Sequence, residues 1–147
     1  MTITNLKDET RAPGEVEVAA VIKAALEPVF QRNADKIVAA YLFGSSANGR
    51  VGPMSDIDIA VLLTGQTVVA AGDIKIDLYL DCSRALKRND IDIAVLNTTK
   101  NLFLLHDVVS NGVVLFDSDR QLREEFEVKA IHDFIDFKEH RTRVLEG

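Results

Sequence analysis

Gly44-Ser45-Ser46-Ala47-Asn48-Gly49-Arg50-Val51-Gly52-Pro53-Met54-Ser55-Asp56-Ile57-Asp58-Ile59-Ala60-Val61-Leu62 is the stretch from which the fold can be read. An apolar run over 37–43 leads into Gly44-Ser45, and a second over 59–63 follows the two aspartates. Both runs are short, rich in β-formers and bounded by turn residues, so they read as buried strands. Side chains two apart on a strand share a face, about 6.6 Å apart. Asp56 and Asp58 therefore place two carboxylates together at the start of an apolar strand. Like charges that close repel, and burying them unpaired is costly. A divalent cation relieves both problems, and hard cations such as Mg²⁺ take oxygen ligands. Gly44-Ser45 supplies the complementary half. Glycine at a strand-to-helix turn lets backbone N–H groups approach an anion, and a helix N-terminus favours phosphate. A phosphate cradle facing a carboxylate pair suits a metal-bound nucleoside triphosphate. An isolated Asp-x-Asp is more often a solvated strand end. The combination with Gly-Ser ten residues upstream carries the reading.

Outward from this stretch, residues 1–13 have mixed charge and no periodicity and read as a flexible tail, with 14–147 a single domain. Residues 15–32 have helical spacing, with Val18, Ile22, Ala25, Leu26, Val29 and Phe30 on one face. Pro28 should kink or split this helix near Glu27. Residues 46–50 suggest a short helix and 51–54 a loop. Residues 68–71 fit either a short strand or the approach to a helix, with Asp73 as a possible N-cap. Ile74, Leu78, Cys82 and Leu86 make the apolar face of a helix, and 91–96 a third strand. That strand begins Asn89-Asp90-Ile91-Asp92 and so brings two more carboxylates, either of which could join the first pair. Residues 98–110 read as a helix stopped by Asn111-Gly112, and 113–116 as a fourth strand. The rest, 119–145, is one long charged helix of about 40 Å. Its stripe is Leu122, Phe126, Ile131, Phe134, Ile135 and the stem of Lys138. It either folds back on the core or presents a partner surface.

Composition sets limits. One domain is expected of 147 residues, and 47% hydrophobic content is enough for a core. No apolar run approaches 18 residues, and residues 1–14 lack the apolar segment of a secretory signal. A single cysteine, Cys82, excludes an internal disulfide and fits a reducing cytoplasm. The net charge of −6 argues against tight nonspecific nucleic-acid binding, and so against a polymerase on a long template. His106, His132 and His140 have no metal-ligand spacing, and Ser45 has no local histidine partner for a hydrolase triad.

Gly-Ser-x10-Asp-x-Asp, preceded by Tyr41-Leu42-Phe43, resembles the signature of the DNA polymerase β-like nucleotidyltransferase superfamily. The short chain is similar to its minimal branch, the MntA-type antitoxins paired with HEPN toxins. The resemblance runs from about Val16 to Leu115. It implies an α/β (α+β) fold: a small mixed sheet of about four strands flanked by helices, with a long C-terminal helix. It implies a Mg²⁺-dependent protein adenylyltransferase, cytoplasmic, that moves AMP from ATP to a tyrosine of a cognate HEPN ribonuclease toxin within a hetero-oligomeric complex. Two ions suit such a transfer. By this analogy Asp56 and Asp58 bridge the metals. The family register, Asp followed by alternating apolar residues and Leu, selects Asp92 over Asp90 as the third ligand and as the group that helps deprotonate the acceptor. Gly44 and Ser45 would hold the β- and γ-phosphates, and Ser55 would position the triphosphate or cap the turn. The chain departs from the pattern at Ser46 and Asn48, where many members carry basic residues; Arg50 could replace them. Two other functions compete. One is modification of a small molecule such as an aminoglycoside, against which only about 30 residues follow the last strand. The other is an antitoxin that works by occlusion alone.

Overall fold

A computed structural model describes residues 13–44 and 56–146 of the chain. The expected tail, apart from Pro13, and the short helix and loop expected over 46–54 lie outside the described residues. Helix α1 (Pro13–Arg32) begins on a proline, where the missing N–H is one a helix start leaves unpaired anyway. Ala19, Ile22, Leu26, Val29 and Phe30 form its buried face. The break expected at Pro28 does not occur, and the helix is continuous through it. Pro28 falls close to the C-terminal end, and Ala24, whose carbonyl loses its partner, is exposed, so water can satisfy that group.

Strands β1 (Ile37–Phe43), β2 (Ile57–Leu63), β3 (Ile91–Val95) and β4 (Val113–Asp117) form one sheet in the order β3-β2-β1-β4. β1 is antiparallel to both β2 and β4, while β2 and β3 run parallel, so the sheet is mixed as expected. The parallel pair needs a crossover. It is supplied by a 3₁₀ turn (Gly65–Ala70) and helix α2 (Ala71–Leu86). Residues 68–71 are thus helical in both halves. Asp73 is the third residue of α2 and not its cap, although a carboxylate there still complements the helix N-terminus. Ile74, Leu78 and Cys82 are the buried residues of α2, as the spacing predicts, and burial pushes the Cys82 thiol up to about 12.

Helix α3 (Leu102–Asn111) starts four residues later than its periodicity suggests. Asn97 is occupied elsewhere: its Oδ1 accepts from the Leu63 N–H at 2.7 Å and its Nδ2 donates to the Leu63 carbonyl at 2.9 Å, which adds a side-chain rung to the β2–β3 ladder. Asn101 then caps α3, accepting from the N–H groups of Phe103 and Leu104. The helix stops at Gly112, where a Cβ would lie 2.4 Å from the Val108 carbonyl oxygen.

Helix α4 (Arg120–Glu146) starts after Asp119, which accepts from the Leu122 N–H at 3.1 Å. Its inward stripe matches the expected one only at Phe126 and Phe134. Arg123, Phe126 and Ala130 face the core, while Leu122, Ile131 and Ile135 are exposed. The reason is a buried charge network. Arg123, 8% exposed, pairs with Asp117 at 2.8 Å and Glu127 at 2.6 Å, and Glu127 accepts from the Tyr41 hydroxyl at 3.1 Å. Phe134 closes the α3–α4 contact by stacking on His106, with centroids 4.0 Å apart, which gives that histidine a packing role.

The two faces of the sheet have separate cores. α1 and α2 cover Ile57, Ile59, Val61 and Leu63 of β2 with Ile91, Ile93 and Val95 of β3. α3 and α4 cover the other face, to which Tyr41, Ala60, Leu62 and Leu96 belong. No helix among the described residues is long and apolar enough to cross a membrane.

Candidate active site

Strand alternation decides where the aspartates go. On β2 the odd positions point into the α1/α2 core, so Asp58 shares the opposite face with Ala60 and Leu62. Asp92 does the same on β3. The parallel register sets Asp58 directly against Asp92. Asp56 lies just before β2 and is exposed. Asp58 and Asp92 thus lie side by side where β2 and β3 begin, with Asp56 just before β2 and near enough for its charge to act on Asp58. The Asp58 carboxyl is raised above the usual carboxylate range, first by burial, then by the charges of Asp92 and Asp56.

Asp90 goes elsewhere. Its side chain pairs with Arg88, whose Nε donates at 2.8 Å and whose Nη2 also contacts the carboxylate. That bond holds the Asp90 carboxyl below its ordinary value. Its backbone carbonyl accepts from the Ile57 N–H at 2.9 Å and so fixes the start of β2 against β3. Of the two candidates for a third carboxylate, Asp92 is the one beside Asp58.

Gly44 closes the opposite side of Asp58. β1 and β2 pair Phe43 with Asp58, and Gly44 follows with φ +71°. A Cβ built there would lie 2.5 Å from Asp58 Oδ2. Two independent reasons therefore require glycine: the left-handed backbone, and the carboxylate pressed against it. Ser45, Ser55 and Arg50 lie outside the described residues.

Among the described residues, no group of three His, Cys, Asp or Glu side chains is arranged to hold a metal ion. The fit to a divalent cation lies in charge and donor type: the carboxylates offer hard oxygens, and Asp58 is disfavoured as an anion by burial and then by the charges of Asp92 and Asp56. Sequence reasoning did not find Arg88. Its guanidinium lies within the field of Asp56 as well as against Asp90. The only signal for it was a basic pair, Lys87-Arg88, just before the third strand.

The chain matches the family model described as "Polymerase beta, Nucleotidyltransferase" over residues 25–121. Among curated proteins no relative matches. Among solved structures, it is similar to a toxin–antitoxin complex with AMP-PNP, at 28% identity and TM-score 0.67, over 84% of this chain and 95% of that one. It is similar to the toxin–antitoxin MntA–HepT at 26% identity and TM-score 0.62, over 86% and 96% of the two chains.

Proposed function

The chain belongs to the polymerase beta nucleotidyltransferase family, and from that premise we propose that it transfers AMP from ATP to a tyrosine hydroxyl of a cognate HEPN ribonuclease toxin, thereby acting as its antitoxin. One observation carries the chemistry: Asp58 and Asp92 face each other across a parallel strand pair, with Asp56 adjacent and the Gly44 backbone against Asp58. The likeness to a toxin–antitoxin structure with AMP-PNP supports the nucleotide and the class of partner.

In this reading the acceptor oxygen attacks the α-phosphorus. The new O–P bond forms as the bond to the bridging oxygen breaks, and pyrophosphate leaves. Asp92 accepts the hydroxyl proton. Gly44 and Ser45 hold the β- and γ-phosphates, and Ser55 steadies the triphosphate. Magnesium bound by Asp56, Asp58 and Asp92, as two ions, would neutralise the triphosphate and the developing charge. The carboxylates themselves set the direction of attack, because β2 separates the phosphate cradle at the end of β1 from Asp92 on β3.

A second reading is neutralisation by occlusion. The outward face of α4, with Val128, Ile131 and Ile135 exposed, favours it. Co-expression separates the two. Wild-type chain should relieve growth arrest by the toxin, and folded Asp92→Asn should not. Full relief by Asp92→Asn would overturn modification in favour of occlusion.

A further inference from the structure

The turn between α2 and β3 is tied down at three consecutive residues. The Arg88 N–H donates to the Ser83 carbonyl at 3.1 Å, and the Tyr79 hydroxyl of α2 donates to the Asn89 carbonyl at 2.8 Å. Asp90 is held twice. Its carboxylate takes two N–H groups of the Arg88 guanidinium, and its carbonyl accepts from the Ile57 N–H at 2.9 Å. The turn is thus anchored to α2 at one end and grips β2 at the other.

The grip on β2 falls among the carboxylates. Ile57 lies between Asp56 and Asp58, and Asp90 lies two residues before Asp92. The bond between them precedes the first paired residues of the two strands, Ile57 with Ile91, and the next pair is Asp58 with Asp92. The ends of a ladder open most readily. This end also carries like charges, since Asp92 and Asp56 both act on Asp58, and their repulsion favours opening. Fixing Asp90 therefore fixes the spacing of the strands where a shared cation would depend on it. Arg88 supplies the fixing. Its planar fork sets the orientation of the carboxylate as well as making contact. The two side chains are 27% and 26% exposed, so the pair is shielded on most of its surface.

We propose that Arg88 is a positioning residue for the carboxylates: through Asp90 and the Ile57 N–H it holds Asp56, Asp58 and Asp92 at the spacing a divalent cation requires. This rests on the reading of those carboxylates as metal ligands. Arg88 acts through Asp90, not by contact with the cation or the substrates. Its charge and its geometry work in opposite directions, which makes them separable. Arg88 lies in the field of Asp56, and a guanidinium there repels a dication, so its charge weakens metal binding. As a brace it strengthens metal binding, because the ligands are already held in place when the cation arrives.

The test titrates Mn²⁺ alone into the nucleotide-free chain and reads the free ion by electron paramagnetic resonance. Arg88→Gln should weaken binding by about tenfold, although it removes a positive charge. Asp90→Asn should weaken it as much. The double variant, with the net charge of wild type, should lose no more than either alone, because all three break one bond. Arg88→Lys, which keeps the charge and loses the fork, should not restore binding. Arg84→Gln, which removes a mostly exposed cation one turn earlier, should leave binding unchanged. In AMP transfer to the toxin, Arg88→Gln should lower kcat and leave KM for the toxin unchanged. Unchanged or tighter Mn²⁺ binding by Arg88→Gln would overturn the proposal, as would a lowered melting temperature with Mn²⁺ affinity retained, or additive losses in the double variant. No Mn²⁺ binding by wild type would overturn the metal reading and this proposal together. Mn²⁺ binding weakened as expected, in a chain that transfers AMP to no acceptor, would uphold the brace and overturn the catalytic reading. Transfer unaffected by Arg88→Gln would do the reverse.

Discussion

Asp58→Asn is expected to lower nucleotidyl transfer by on the order of 10³-fold or more and, at neutral pH, to raise the melting temperature. Both effects have one cause. Asp58 sits against Asp92 and near Asp56, and burial and these two charges raise its carboxyl above its ordinary value. Asparagine keeps the shape and removes the charge, so it removes a ligand oxygen of anionic character and a source of repulsion together. The sign follows from linkage. A carboxyl raised in the folded state costs stability once it ionises, so the native protein is penalised above its folded value. Below the ordinary aspartate value both forms are neutral and the difference vanishes. The stabilisation should therefore be present at pH 7 and fade as pH falls toward 3.8. Thermal melts of both proteins across this range, without added metal, check the stability half, and single-turnover transfer checks the other. A variant that melts lower at pH 7 would show that Asp58 holds the fold together instead of being tolerated by it. Such opposition between stability and activity is common at sites built for charge.

Arg123→Ala is expected to cost about 3–5 kcal/mol of stability. The guanidinium is buried between Asp117 at the end of β4 and Glu127 one turn along α4, and Glu127 also holds the Tyr41 hydroxyl. Tyr41 is fully buried, and burial and Glu127 keep its hydroxyl protonated and donating. Removing Arg123 leaves two carboxylates facing each other without a cation, and α4 loses its anchor to the sheet. Domains of this size have about 5–15 kcal/mol in all, so the loss is a large fraction. Urea titration measures it. A shape-preserving change with the acids neutralised, Arg123→Met with Asp117→Asn and Glu127→Gln, should recover much of the loss, because a buried ion pair contributes little over a well-packed neutral replacement. No recovery would mean that the guanidinium acts through specific hydrogen bonds and not through charge balance.

This network also marks where the sequence stopped being readable. β1 and β2 were legible because a buried strand leaves an apolar run, and Cys82 because α2 has a plain apolar face. On α4, periodicity favours Leu122, Phe126, Ile131, Phe134 and Ile135 as the inner stripe and counts arginine as surface; Phe126 and Phe134 do pack inward, while Leu122, Ile131 and Ile135 are exposed. What makes Arg123 an inside residue is its setting: it bonds to Asp117 at the end of β4 and to Glu127, and Glu127 in turn accepts from Tyr41, a residue of β1 far away in sequence. The split at Pro28 was overread for a related reason: its cost depends on whether the orphaned carbonyl meets water, which depends on the outer face of the helix. The late start of α3 followed from Asn97 bonding to Leu63, a contact across 34 residues. At the site, the Asp56/Asp58 pair followed from strand alternation alone. The preference for Asp92 over Asp90 needed the family register; in the structure Asp92 pairs with Asp58 across the strands and Asp90 pairs with Arg88. Arg88 itself gave no periodic signal, since it lies in a turn.

The most direct measurement is transfer of label from ATP marked at the α-phosphate, with Mg²⁺ and the purified cognate toxin, using wild-type chain and Asp92→Asn in parallel. Label on the toxin with wild type, absent with the folded variant, is the expected result. Label confined to small molecules, or no label on any protein from a folded wild-type chain, would contradict the assignment of this carboxylate end as a protein AMP transferase.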